Sequence, residues 1–245
     1  MLRAAFTVAL NGVDRVCDDI IIESNRNKIS NCITFDIEYD DLMEMMSDMK
    51  KDGVDILSMS LTSYPLYNLW VPDFMDNISF HGCSLCNARV KEFNPKYSEF
   101  YSSELINTEF IRSIINEISY VNCDLDGYSL IHSKIAPQGV LSFVGSELNG
   151  SKFIMNNDEY ESNDDTSYIK ILRCKANNID MSGCDLSGTV LHIRDSTVTG
   201  NFKGCKVKNV DADYSFRYHF LFNGGVIEDC TMMDNLVSYI GSFIV

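Results

Sequence analysis

Residues 78 to 130 read ISFHGCSLCNARVKEFNPKYSEFYSSELINTEFIRSIINEISYVNCDLDGYSL, and their spacing decides the fold. Stepping by five from Phe80 reaches Leu85, Val90, Pro95, Phe100, Leu105, Phe110, Ile115, Tyr120, Leu125, Leu130, Ile135 and Val140, so 12 of 13 positions are hydrophobic. At 45% hydrophobic content chance would give about six, and neither the 3.6-residue period of a helix nor the two-residue period of a strand produces this spacing. Two residues before each lie Ile78, Cys83, Ala88, Phe93, Ser98, Ser103, Thr108, Ser113, Ile118, Cys123, Tyr128, Ser133 and Gln138, of which eight are Ala, Ser, Thr or Cys. A large and a small residue therefore alternate inward.

Positions twenty apart repeat as well. Phe80, Phe100 and Tyr120 form one column, Leu85, Leu105 and Leu125 a second, and Val90, Phe110 and Leu130 a third. If four five-residue sides close one coil, like residues superpose at the strand spacing of ~4.8 Å and the backbone pairs from coil to coil. These residues resemble the pentapeptide-repeat proteins, whose motif is a small residue, a polar residue, Leu or Phe, and two variable residues. The clearest matches are Cys83-Ser84-Leu85, Ser103-Glu104-Leu105, Cys123-Asp124-Leu125 and Cys184-Asp185-Leu186. The resemblance implies a mainly β fold: a right-handed quadrilateral β-helix over residues 76–245.

The phase slips where the chain should leave the coil. After Val140 the pattern resumes at Leu148 and Phe153, then at Ile171, Ala176, Met181, Leu186 and Leu191, and a further one-residue slip gives Phe202, Val207, Ala212, Phe222, Ile227, Met232 and Val237. The stretch 156–167, NNDEYESNDDTS, is too polar for a core and reads as an extruded loop, within an insertion spanning about 154–168. Residues 213–220, DYSFRYHF, depart from the motif and read as a bulge.

Residues 1–75 do not follow the period and read as a small α/β region covering the first coil. Ala4–Leu10 and Val13–Ile22 flank Asn11-Gly12, a hairpin signal. Asp41 and Glu44 have the spacing of a capping box, with Leu42, Met45, Met46 and Met49 on one helix face and Gly53 at its end; 54–61 then reads as a strand.

Chemistry is thinly marked. His81, Cys83 and Cys86 have metal-ligand spacing, but Cys83 falls on an inward small position, as do Cys123, Cys184, Cys205 and Cys230, so these thiols read as packing residues and no metal or cofactor is expected. The histidines (His81, His132, His192, His219) sit in no motif that positions a nucleophile. A carboxylate pair of the glycosidase kind would need aromatics and carboxylates gathered on one outer face, and no such cluster recurs along the period. The β-helix enzyme is the weakest reading.

The chain has 35 acidic and 20 basic residues, a net charge of −15, which repels a phosphate backbone and argues against direct nucleic-acid binding. Residues 1–75 carry 13 acids and 6 bases, 76–141 carry 8 and 5, and 142–245 carry 14 and 9. Five of the last acids, Asp158, Glu159, Glu161, Asp164 and Asp165, lie in the loop and form the candidate partner-binding site. They lack calcium-hand wording. Some members of the resembled family mimic a DNA duplex and bind gyrase; that alternative requires charge spread along the coils, whereas here the coils outside the loop are nearly balanced.

No apolar run approaches the ~18 residues that cross a bilayer, and the start lacks a cleavable signal, so no membrane insertion is expected. Nine scattered cysteines suit free thiols in a reducing compartment. The tail 239–245, YIGSFIV, is too apolar to face water, so it should cover the last coil or form a homodimer. The reading is thus a non-enzymatic protein-binding scaffold, cytoplasmic or injected into a host cell. Bacterial effectors that resemble it pair an irregular N-terminal region with pentapeptide repeats.

Overall fold

The computed structural model describes residues 4–11, 31–35, 39–51, 55–62, 69, 76–155 and 165–212. Near the N-terminus β1 (Ala4–Asn11) runs antiparallel to both β2 (Asn31–Phe35) and β3 (Asp55–Thr62), with α1 (Tyr39–Lys51) between β2 and β3 in the chain. The expected strands at 4–10 and 54–61 are present; Val13–Ile22 and Gly53 lie outside the described residues. The helix starts at Tyr39, so Asp41 stands in its first turn rather than at the N-cap. Met43 and Met46, one turn apart, are both buried; Met43 was not on the expected stripe, because the run Leu42-Met43-Glu44-Met45-Met46 supports more than one apolar face. β3 then pairs in parallel with β4 (Asn77–His81), Met59 opposite Ile78 through Thr62 opposite His81. The N-terminal strands and the repeats thus share one continuous sheet.

From β4 onward the chain is a parallel β-solenoid of about six turns. Three ladders of pairing run through successive turns, and a fourth is formed at two places among the described residues. The first joins β4, β6 (Tyr97–Tyr101), β8 (Ile114–Val121), β9 (Ser129–Val144), β11 (Ser167–Leu172), β13 (Asp185–Arg194) and β15 (Lys206–Ala212). Its central column is Phe80, Phe100, Tyr120, Phe143, Ile171, Ile193 and Ala212. The second is a chain of bridges through Ser84, Glu104, Asp124, Glu147 and Lys175. The third joins β5 (Arg89–Lys91), β7 (Glu109–Ile111), the start of β9, β10 (Lys152–Met155), β12 (Lys175–Asp180) and β14 (Thr197–Asn201). The fourth pairs Ile115 with Ile135, and Leu186 with Val207.

Three of the four corners turn by the same device. Two residues past each ladder residue the backbone enters the left-handed region: Gly82, Asn87 and Glu92 in the first turn, Ser102, Asn107 and Arg112 in the second. Most of these are not glycine, but none is β-branched, the class for which positive φ is costliest. Each corner amide donates to the next coil, as from Gly82 to the Tyr101 carbonyl (2.9 Å), Asn87 to Ile106 (2.8 Å) and Glu92 to Ile111 (2.9 Å). After the fourth side neither Tyr97 nor Glu117 has positive φ.

Extra residues therefore emerge at that fourth corner. The first slip precedes Val140 rather than following it: Ile135 is buried, Val140 faces outward, and Phe143 takes the inward place, which adds three residues around Ala136–Gly139. Leu191 likewise pairs with Ile169, which in turn pairs with Leu141, two residues short of the column that Ile193 fills, so two residues are added after Leu186 and one is lost between Val198 and Phe202. The net shift of one is as expected, but it is made of two opposite slips.

The core is solid. Phe80 stacks on Phe100 (4.4 Å between centroids), Phe100 on Tyr120 (5.0 Å) and Tyr120 on Phe143 (5.2 Å), while Phe93, Phe110, Tyr128 and Phe153 meet this stack tilted or edge-on. Tyr128 occupies a position expected to be small; its hydroxyl is satisfied by that of Tyr120 at 2.8 Å. Small inward positions on the second side alternate Cys83, Ser103, Cys123, Ser146, Cys174 and Ser196, and the hydroxyls accept the amide of the cysteine one coil earlier at 3.0 to 3.1 Å. Ser98 is the exception: fully buried between Ile78 and Ile118, its Oγ has no partner. Because an unsatisfied buried hydroxyl costs ~1 to 3 kcal/mol, Ser98→Ala should raise stability by about 1 kcal/mol in urea unfolding, and a loss of that size would contradict it.

Candidate functional site

The six ladder residues Phe80, Phe100, Tyr120, Leu85, Leu105 and Leu125 are completely buried and serve packing. Of the acidic loop, Asp158, Glu159, Glu161 and Asp164 lie outside the described residues; Asp165 is half-buried at the loop's base. β10 ends at Met155 and β11 begins at Ser167, so residues 156–164, which lie outside the described residues, connect the third side of one turn to the first side of the next. The base of this connection is tied down: the Ser167 and Thr189 hydroxyls meet at 2.7 Å, and Lys208 Nζ donates to Thr166. This connection thus spans the corner that also carries the slips beside Gly139 and after Leu186. Residues 213–245, with the bulge expected at 213–220 and the apolar tail, are outside the described residues, as is His219.

His81, Cys83 and Cys86 do not converge. His81 lies on the first side, Cys83 points into the core with its thiol toward the His81 carbonyl (3.7 Å), and Cys86 faces outward on the second side near Glu104. Among the described residues no group of three His, Cys, Asp or Glu could hold a metal ion. Burial pushes the Cys123 and Cys184 thiols up to about 11, against hydrogen bonding to backbone that partly offsets it for both. Such thiols are poor nucleophiles. Cys174, an inward cysteine that the period did not reveal, is raised by burial too. His132 occupies an exposed left-handed corner, and His192 Nδ1 lies 3.0 Å from Asp211 Oδ2, a carboxylate that Arg194 also holds and keeps below its ordinary range.

The outer face of the first side gathers what the period did not. Three outward columns run along it, two of them rich in apolar residues: Tyr97, Glu117, Val140, Tyr168 and Val190, interrupted by the charge of Glu117, and, four residues further along each strand, Tyr101, Val121, Val144, Leu172 and Arg194. Between them lie Ser79, Glu99, Ser119, Ser142, Lys170 and His192. Tyr97, Glu99, Tyr101 and Glu117 therefore lie together on one outer face, a grouping that does not recur in the later turns, where Val140, Ser142 and Val144 and then Tyr168, Lys170 and Leu172 take the equivalent places. Partial burial, then the charges of Glu99 and Glu117, hold the Tyr97 hydroxyl above its ordinary range. The cluster lies on a sheet, so it offers contact area. Its signal in the sequence was period-two alternation inside single strands, masked by the stronger period of five.

Among the described residues no helix is long and apolar enough to cross a membrane. No family model matches the chain, and no curated protein matches it.

Proposed function

We propose that this chain is a pentapeptide-repeat protein acting as a non-enzymatic scaffold that binds another protein through its acidic loop. The observation that carries this reading is the placement of slack: three corners are pinned by coil-to-coil hydrogen bonds, and the slips beside Gly139 and after Leu186 share the fourth edge with the loop. A projection from one edge of a rigid rod is a recognition geometry. In this proposal the coil is right-handed and the β1–β3 unit closes its first turn, hiding strand edges that would otherwise pair with other chains. Low proline and degenerate repeats support a place among effectors injected into host cells.

The DNA-mimic alternative fares worse on charge density. Residues 76–141 carry 8 acids against 5 bases, so most of the carboxylate charge along these coils is balanced, whereas duplex DNA carries one unbalanced charge per ~1.7 Å. Lys175 ends the chain of bridges on the second side with an ion pair to Glu147 at 2.8 Å.

The test neutralises Asp158, Glu159, Glu161, Asp164 and Asp165 together, to Asn or Gln, and measures binding to the protein recovered by pull-down. Slower association and a flatter salt dependence are expected, with the thermal midpoint unchanged. Equal affinities at low and physiological salt would overturn the loop's role.

A further inference from the structure

We infer that the outer face of the first side is a self-complementary surface on which a second copy of this chain packs, with the two rods antiparallel. A two-fold axis lying along the strand direction, midway between the Tyr120 and Phe143 strands, keeps each outward column on itself and reverses the order of the coils. It sets Glu99 opposite Lys170, Tyr97 opposite Tyr168, Tyr101 opposite Leu172, Ser119 opposite Ser142, Val121 opposite Val144 and Glu117 opposite Val140. Charge meets opposite charge, small meets small and apolar meets apolar at five of these six positions, and Glu117, an exposed carboxylate, meets Val140 at the sixth.

Several observations agree. Tyr101 and Tyr168, 43% and 37% exposed, are two of the three exposed large hydrophobic residues among those described, and both stand on this face. Lys170 lies over the Tyr168 ring at 5.7 Å, beside the place where the partner copy's Glu99 would arrive. At the rim His81 would meet Arg194, whose charge Asp211 already balances. Six strands spaced ~4.8 Å and five residues wide give a face of about 24 by 17 Å, roughly 400 Å² per copy and below the ~1,000 Å² total of a stable interface, so the dimer should be weak and transient. Aligned packing of two such sheets is an ordinary geometry.

The test is a reciprocal charge exchange read by sedimentation velocity from ~10 to ~500 μM. Wild type is expected to show a monomer–dimer equilibrium. Glu99→Lys and Lys170→Glu, each alone, place like charges at both symmetric contacts and should raise the dissociation constant at least about tenfold. Mixed in equal amounts they restore opposite charges at both contacts, and a heterodimer of near wild-type affinity should return. Both positions are at the surface, and unchanged thermal midpoints separate loss of pairing from loss of folding. A wild type monomeric at ~500 μM, a dimer indifferent to both substitutions, or a mixture that stays monomeric would each overturn the inference. Indifference is also what a dimer built through the tail 239–245 would give.

Discussion

Phe100→Ala should cost ~3 to 5 kcal/mol, the largest loss expected from any single truncation in the chain. Phe100 is completely buried, stacked between Phe80 and Tyr120 at 4.4 and 5.0 Å, with Phe93 and Phe110 against it at 6.1 Å each. Four aromatic neighbours leave little that can collapse into the space, so the cavity adds to the transfer term. Leu105→Ala, in the neighbouring column, removes less surface and should cost ~2 to 5 kcal/mol. In a solenoid each coil is supported only by its neighbours, so the loss is felt by the turns on either side. The check is the urea midpoint at constant slope. A change below ~1 kcal/mol for Phe100→Ala would mean that the rings do not stack.

The second large effect is at a glycine. A Cβ on Gly200 would sit 2.0 Å from the Ile179 carbonyl oxygen of the preceding coil, at a φ of +154°, so two stretches of backbone must part before alanine fits. Gly200→Ala should therefore cost about 3 kcal/mol or more, combining backbone strain with overpacking. Gly150 provides the contrast. Its φ is +68°, yet nothing lies within 4 Å of the added carbon. Gly150→Ala should cost only ~1 to 2 kcal/mol, the ordinary penalty of a left-handed residue, as tolerated by Asn87, Asn107 and the other non-glycine corners. Equal effects at the two positions would show that the coils do not approach as closely at Gly200.

How far the sequence could be read followed from where the chain keeps its period. From Phe80 to Ile135 every inward position on the five-residue step was legible, because the coils there are pinned at twenty residues and the period of five has nothing to compete with it. Val140 misled because it is apolar and in phase, although the extra residues around Gly139 turn it outward and put Phe143 in the column. Tyr128 and Cys174 were obscured for different reasons: a bulky ring filled a small position by sharing a hydrogen bond with Tyr120, and Cys174 follows the loop, where no phase could be carried across. The outer face was hidden for the same reason. That Glu99 and Lys170 occupy equivalent places on their strands depends on slips totalling eleven residues beyond three regular coils, which only the pairing reveals. Conversely the charge of the loop was plain from Asp158 to Asp165, since polarity needs no register.

Which residues share a side of the coil is set by the register of its strands. The decisive measurement is the set of interstrand NOEs in a backbone-assigned sample. Short contacts should link residues twenty apart between 78–81 and 98–101, twenty-three apart between 118–121 and 141–144, twenty-eight apart between 141–144 and 169–172, and twenty-two apart between 169–172 and 191–194, as expected of parallel strands ~4.8 Å apart. That sequence of offsets belongs to this coil and to no regular alternative. Contacts of antiparallel register across 98–144, or a constant offset of twenty carried through Val140, would contradict it.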